Sequence, residues 1–441
     1  MRGSYTSFAM RVIGHAALGT FAMQFGVIPA IVVHSAYNFG MMHYYPGALL
    51  ELTNSRDRVV LAAPKAPEVG DLCCEHARMK TVKIQPDFKI ARDPETRCNP
   101  GFGARAAWGI KGLYADVMRT CHHNEVISLN ARVGKLLPQH DPVVAATVEA
   151  EWVKVSELTI PIFAKNVKKV TLPMPFEEWI KTFPPAKREM YQELRAINAV
   201  VPSKLQASSF VKKELVLREQ EEIALTKDPR MIQGCPPELS LHTGPYIRRA
   251  AKQLKKGMKP KHWDPSMLAE GKHFIYTCGM SAEGVGASFS KALTLIQSIC
   301  GPGERVVVLE DDQSRFDLHI TGAAFAHLHR LNQVLLPRKV ARFLKRTSKS
   351  TGRTMLGCRY SVPYTMQSGW PDTSYGDSIC NESMKLYIHR PGRKWVSIIC
   401  GDDSVTVTTD QEIQALGGPD MIVEGYAKLG MEVDVQLRTQ E

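Results

Sequence analysis

The sequence predicts a mixed α/β chain of the α+β kind, an antiparallel sheet flanked by helices, and three stretches carry that expectation. Residues 396–409, VSIICGDDSVTVTT, set two runs rich in β-branched residues around Gly401, Asp402 and Asp403, the pattern of a tight hairpin. Residues 301–312, GPGERVVVLEDD, read as a turn and then a continuous apolar strand of Val306, Val307, Val308 and Leu309 that ends in acids. Helix signals surround these strands: FEEWIKTFPPAKREMYQELRAINAV at 176–200 is one helix, a break at Pro184 and Pro185, and a second, amphipathic helix. Further helix signals run from the acids to about residue 346 and close on Arg338, Lys339, Arg342, Lys345 and Arg346.

With 441 residues and 44% hydrophobic content the chain can build two or three domains and a sizeable core, which excludes a disordered tail. A formal net charge of +12 and a pI near 9.1 suit a polyanionic partner. The basic residues concentrate in 210–261, where FVKKELVLREQEEIALTKDPRMIQG runs out and back as an extended hairpin and PYIRRAAKQLKKGMKPK follows as a cationic helix. The ten cysteines form no regular framework and include no Cys-x-x-Cys, which fits a reducing compartment. Cys73, Cys74, His76, Cys98, Cys121, His122 and His123 are zinc-type donors, but their spacings match no standard site and adjacent pairs ligate awkwardly. From Val12 to Leu50 there is no Asp, Glu, Lys or Arg, a length that can enter or span a bilayer. Gln24, Pro29 and His34 interrupt the run, so the expectation is a broken or interfacial helix, with a buried helical pair as the alternative.

Adjacent carboxylates repel each other and lose solvation when partly buried, so the Asp402–Asp403 pair needs either open solvent or a cation between its oxygens. A second acidic feature, DQSRFD at 312–317, follows the buried strand. Asp312 there is expected to aim out of the sheet edge, where the neighbouring hairpin brings Asp402 beside it. Acids from two strands could hold two cations about 3.5–4 Å apart, one activating an attacking hydroxyl and the other stabilising the leaving oxygen. The third feature, SGWPDTSYGDSICN at 368–381, is a glycine-bearing loop that opens a helix and presents the Ser368 and Thr373 hydroxyls. Each feature taken singly also reads as a solvated turn, a strand end with a helix cap, or an ordinary loop.

In their order and spacing these motifs resemble the RNA-dependent RNA polymerases of positive-strand RNA viruses, nearest to the tombusvirus-like group. DQSRFD resembles that family's first palm motif, SGWPDTS its second and CGDD its third. KDPRMIQ at 227–233 is similar to its basic fingers motif, FVKKE at 210–214 to the segment before it, and CHHNEVISLNARVGKLL more loosely to an N-terminal fingers segment. The resemblance covers roughly residues 120–435. It implies a right-hand polymerase with an N-terminal region and fingers over 61–300 and a palm over 301–441 that ends before a thumb, preceded by the apolar leader over 1–60, whose composition suits membrane association or a buried helical pair. It implies RNA-directed RNA synthesis on an RNA template from ribonucleoside triphosphates, with Mg²⁺ or Mn²⁺ as cofactor. It also implies a replication complex in the host cytoplasm with a host membrane and other viral replication proteins.

Carried over onto matching positions, the resemblance makes Asp312 and Asp402 the principal metal ligands, assisted by Asp403. Asp317 would sit near the incoming ribose, and Ser368, Gly369 and Thr373 would line the nucleotide and template side. Arg230 and Lys227, with Lys212 and Lys213, would neutralise the triphosphate, whereas Lys255 and Lys256 read as a solvated face. Two departures stand out. The second motif carries Asp377 where the group has Asn, with Asn381 one helical turn on as a substitute, and acids follow Gly430 where a proton-donating Lys is expected, leaving Lys428. A reverse transcriptase would share the chemistry but places an aromatic residue before its acid pair, where this chain has Cys400-Gly401. A catalytically silent RNA-binding or membrane-scaffold protein is the alternative of another class, and a metal-dependent nuclease or phosphatase leaves the basic segment and the Ser-Gly loop unexplained.

Overall fold

The computed structural model describes residues 82–91, 106–107, 113–117, 120–213, 215–219 and 228–439. Its strands are β1 Lys89–Ala91, β2 Ala106–Ala107, β3 Leu113–Val117, β4 Ala207–Val211, β5 Leu215–Glu219, β6 Met231–Gly234, β7 Phe274–Tyr276, β8 Val306–Gln313, β9 Ser350–Thr354, β10 Arg359–Val362, β11 Val396–Cys400, β12 Asp403–Thr409 and β13 Val433–Thr439. Among the described residues the helices of ten or more residues are α1 His122–Arg132, α2 Pro142–Asn166, α3 Pro185–Ala196, α4 Pro237–Gly257, α5 Ala282–Ser298, α6 Gly322–Leu335, α7 Thr373–His389 and α8 Pro419–Lys428. The result is a mixed α/β architecture.

A central sheet runs in the order β13-β8-β12-β11-β7, a second in the order β1-β10-β9-β4-β6, and a small third in the order β2-β3-β5. The central sheet is antiparallel except for the β11–β7 pair, which is parallel. Its strands alternate between two cores with the period of two that a pleated strand imposes. Phe274, Tyr276, Val307, Leu309 and Ile399 pack with Trp152, Leu254, Leu331, Ile379 and Tyr426 from α2, α4, α6, α7 and α8. Ile275, Val396, Ile398 and Val407 turn the other way onto Ala292, Leu295 and Ile296 of α5. The sheets interleave along the chain, since β7 joins the central sheet from upstream while β9 and β10, between β8 and β11 in sequence, belong to the second.

Several sequence expectations have direct counterparts. The hairpin at 396–409 is β11–β12, with Gly401 at φ +73°, a left-handed conformation that residues with a Cβ avoid. The double-proline break separates the short helix Phe176–Ile180 from α3, which Pro185 opens. The basic out-and-back segment is β4 paired with β6, Val211 opposite Met231, while β5 between them pairs with β3. One expectation is corrected: Asp312 does not leave a sheet edge. β8 continues through Gln313 because β13 pairs along it, Asp434 opposite Asp312, so Asp312 lies inside the sheet with β12 on its other side. The apolar leader lies outside the described residues, within which no helix is long and apolar enough to cross a membrane.

Helix α7 is tied to the central sheet by a buried polar stripe. Ser378, Asn381, Glu382 and Lys385 follow the i, i+3, i+4, i+7 spacing that places side chains on one helical face, and all are fully buried. Ser378 Oγ accepts from Gly401 N at 2.8 Å, and Asn381 Nδ2 donates to the carbonyls of Gly401 and Asp402 at 3.3 and 3.0 Å. Ser397 Oγ donates to Glu382 Oε2 at 2.5 Å, and burial pushes the Glu382 carboxyl up to about 8. Lys385 Nζ pairs with Asp311 on β8 and also donates to Thr406 Oγ1 at 2.8 Å, with both ionic side chains sealed from solvent. Removing one partner of such a pair leaves an uncompensated buried charge. Lys385→Met is expected to destabilise the fold by about 3–5 kcal/mol in denaturant unfolding, and Asp311→Asn in the same chain to restore a large part of the loss.

Candidate active site

The register of the central sheet assembles an acidic cleft. Ser404 stands opposite Asp311, which brings Asp403 and the Asp402 turn alongside Asp312, and Asp434 faces Asp312 from the other neighbour. Asp311 points into the buried layer and Asp312 to the open face, as alternation along β8 requires. Asp402 and Asp403 reach solvent but are recessed in the cleft. Burial raises both carboxyls above the ordinary range, Asp403 to about 6, with the charge of Asp312 adding at both and that of Asp402 adding at Asp403.

Asp317 sits in the short helix Phe316–His319 that follows β8. Burial pushes its carboxyl up to about 6, opposed by a hydrogen bond from the Ser368 hydroxyl and reinforced by the charge of Asp402. The chain reaches this position through Arg315, which adopts a left-handed backbone at φ +50° and sends its guanidinium to Asp228 at 2.8 Å. Arg315 thereby ties the first acidic motif to the basic segment. Sequence reading passed over it, although it stands inside DQSRFD as that motif's one cation.

Ser368 and Gly369 are held against β6. Gln233 N donates to the Ser368 carbonyl at 3.0 Å, and Gly369 lies at φ +94° where a Cβ would sit 3.4 Å from the Gln233 oxygen. Thr373 was expected to line the site, but its hydroxyl closes the loop itself, donating to Gln367 O at 2.7 Å and accepting from Trp370 N at 3.2 Å. Asn381 likewise faces the hairpin rather than a ligand: besides its two donations, its Oδ1 accepts from Gln313 Nε2 at 3.0 Å. Asp377 is buried near the acids. Burial, then Asp317 and Asp402, push its carboxyl well above the usual range, and its Oδ1 meets no hydrogen-bond partner among the described residues.

The basic residues divide. Arg230, at the start of β6, is exposed, and its charge bears on Asp317, Asp402 and Asp403 at once, lowering each. Lys212 follows the end of β4, its backbone N donating to Arg230 O at 2.7 Å, and Lys213 is exposed next to it. Lys227 lies outside the described residues. Lys428 pairs with Glu424 at 2.8 Å on the exposed face of α8, and its other titratable neighbours are Glu151 and the neutral Tyr387, none of them an acid of the cleft.

The family model for viral RNA-dependent RNA polymerase matches residues 181–440, more than half of the chain and all of the acidic cleft. The chain belongs to that family. This polymerase is an RNA-directed RNA synthesising enzyme with an RNA template and ribonucleoside triphosphates as substrates, and enzymes of its kind use divalent metal ions. No curated protein matches it.

A raised carboxyl in the folded state means that the native polymerase binds more protons than the unfolded chain between about pH 4 and pH 6. The stability this group contributes therefore falls as pH rises through that window. In metal-free protein, Asp403→Asn is expected to raise Tm by a few degrees near neutral pH and by clearly less near pH 4.5, measured by calorimetry.

Proposed function

We propose that the cleft carries out two-metal nucleotidyl transfer in a polymerase of the tombusvirus-like group. The convergence of Asp312, Asp402 and Asp403 from two paired strands, with Arg230 above them, carries the reading. The donor set fits Mg²⁺ or Mn²⁺: it is all carboxylate oxygen, the preference of hard cations, and the burial that raises Asp402 and Asp403 is what a bound cation would offset. Asp312 and Asp402 would hold the ions with help from Asp403. When bound, the ions would lower the cost of deprotonating the RNA 3′-hydroxyl and of charge on the departing pyrophosphate.

The chain's own residues do the rest. Arg230 offers a planar fork to the triphosphate, with Lys212, Lys213 and Lys227 extending the positive field. Asp317 and Ser368, already hydrogen-bonded to each other, present a polar pair to the ribose 2′-hydroxyl, while Gly369 lets the backbone approach the base. Burial pushes the Asp377 carboxyl well above the usual range, and in its protonated form it would donate as well as accept, as the Asn of the group's pattern does. In this reading the central sheet with its helices is the palm, and the second sheet, with β4 and β6, belongs to the fingers. An apolar leader over 1–60 would place the replication complex on a host membrane in the cytoplasm, beside other viral replication proteins.

Asp312→Ala and Asp402→Asn are each expected to cut incorporation of labelled ribonucleotide by at least about a thousandfold while RNA affinity stays within about twofold, since the phosphate contacts lie on the basic segment. Loss of RNA binding by the folded variants would contradict the assignment. Asp377→Asn is expected to stay within about threefold of the parent near neutral pH, and Asp377→Ala to lose about tenfold in preference for ribo- over deoxyribonucleotides. An inactive Asn variant would show that a charged Asp377 is required.

A further inference from the structure

Helix α1 and the β9–β10 hairpin meet through side chains that the cleft chemistry does not use. Glu125 is fully buried, yet among the described residues no Lys or Arg pairs with it. Buried carboxylates are ordinarily paired with a cation or coordinate a metal. Its oxygens are aimed by two donors, Thr354 Oγ1 at 2.5 Å and Leu356 N at 3.1 Å, and a carboxylate so held keeps further lone pairs available.

Two softer donors stand beside it. His122 shares a helical face with Glu125 at the i, i+3 spacing, and its Nδ1 lies 3.7 Å from the Sγ of buried Cys358, 236 residues away in the chain. One ligand atom from each of the three residues lies within 4.8 Å of the others. Donors on a tetrahedral ion at about 2.0–2.3 Å stand about 3.3–3.8 Å apart, so a small inward movement would close the set. The hydrogen bonds on Glu125 are the outer support that metal-bound carboxylates ordinarily carry.

We propose that His122, Glu125 and Cys358 bind a structural zinc ion, with water as the fourth ligand on the half-exposed His122 side. One nitrogen, one oxygen and one sulfur donor favour Zn²⁺ over Mg²⁺, so this site and the all-oxygen cleft select different metals. Cys358 binds as thiolate, its proton passing to solvent as the Zn–S bond forms. The ion would pin α1 to the hairpin inside the core of Val126, Leu129, Val211, Met231 and Tyr360, and so brace β6 behind Arg230.

The test loads Co²⁺, as a spectroscopic substitute for zinc, into the full chain carrying Asp312→Asn and Asp402→Asn to weaken the competing cleft. The expected result is one equivalent of Co²⁺ with a sulfur-to-cobalt charge-transfer band and four-coordinate visible bands. Cys358→Ser should abolish the charge-transfer band, His122→Ala should weaken uptake at least tenfold, and Cys121→Ser should leave both unchanged. Should the site variants fail to fold, the spectrum of the chain with the site intact, with its zinc content after purification, decides the matter. Absence of stoichiometric uptake, or of the sulfur band, would overturn the proposal, as would a band that persists in Cys358→Ser.

Discussion

Antiparallel pairing of β8 with β12, Ser404 opposite Asp311, forces Asp312, Asp402 and Asp403 into one end of the central sheet. Burial first, and then the charges of Asp402 and Asp312, raise the proton affinity of Asp403, and the free energy opposing this assembly must be met elsewhere in the fold. The buried face of α7 meets it. Ser378 and Asn381 fix both sides of the Gly401 turn, and Lys385 neutralises Asp311 one residue before Asp312, so the register cannot slip without breaking buried hydrogen bonds. Under the proposed function, acids preorganised in this way for cations would carry a cost in metal-free stability.

Much of this was legible in the sequence, because the acids sit where local rules are strong. A β-branched run, a glycine turn and a second β-branched run leave little choice but the β11–β12 hairpin, and four consecutive apolar residues before Glu310 mark a strand buried on both faces. The helix break at Pro184 and Pro185 follows from proline's missing donor. What local pattern could not supply was pairing across the chain. Nothing in VDVQLRT announces that β13 would flank Asp312, so the strand was expected to end at an edge. The polar stripe of α7 has the composition of a solvated helix face, and only its docking against the hairpin turns Asn381 from a ligand-facing residue into a support. Local pattern was equally silent on the Thr373 hydroxyl, since a hydroxyl at a loop's end serves its own loop as readily as a ligand.

The cleft also depends on the second sheet. β6 carries Arg230 at its start and holds the Ser368–Gly369 loop through Gln233, so one strand positions both the cation and the loop that meet the acids. The Arg315–Asp228 pair links the same two regions from the opposite direction. Since β9 and β10 of that sheet lie in sequence between β8 and β11, the two halves are threaded through each other, and the supports of one are continuous with the chemistry of the other. Sequence spacing could not suggest the meeting of His122 with Cys358 for the same reason: it arises from this threading.

The central claim is that the assembled carboxylates hold two cations. Anomalous diffraction from crystals soaked with Mn²⁺, RNA and a non-hydrolysable ribonucleoside triphosphate tests it most directly. The account requires two peaks about 3.5–4 Å apart, with Asp312 and Asp402 both ligating. A single ion, or ions bound only by the triphosphate with the carboxylates uninvolved, would contradict it.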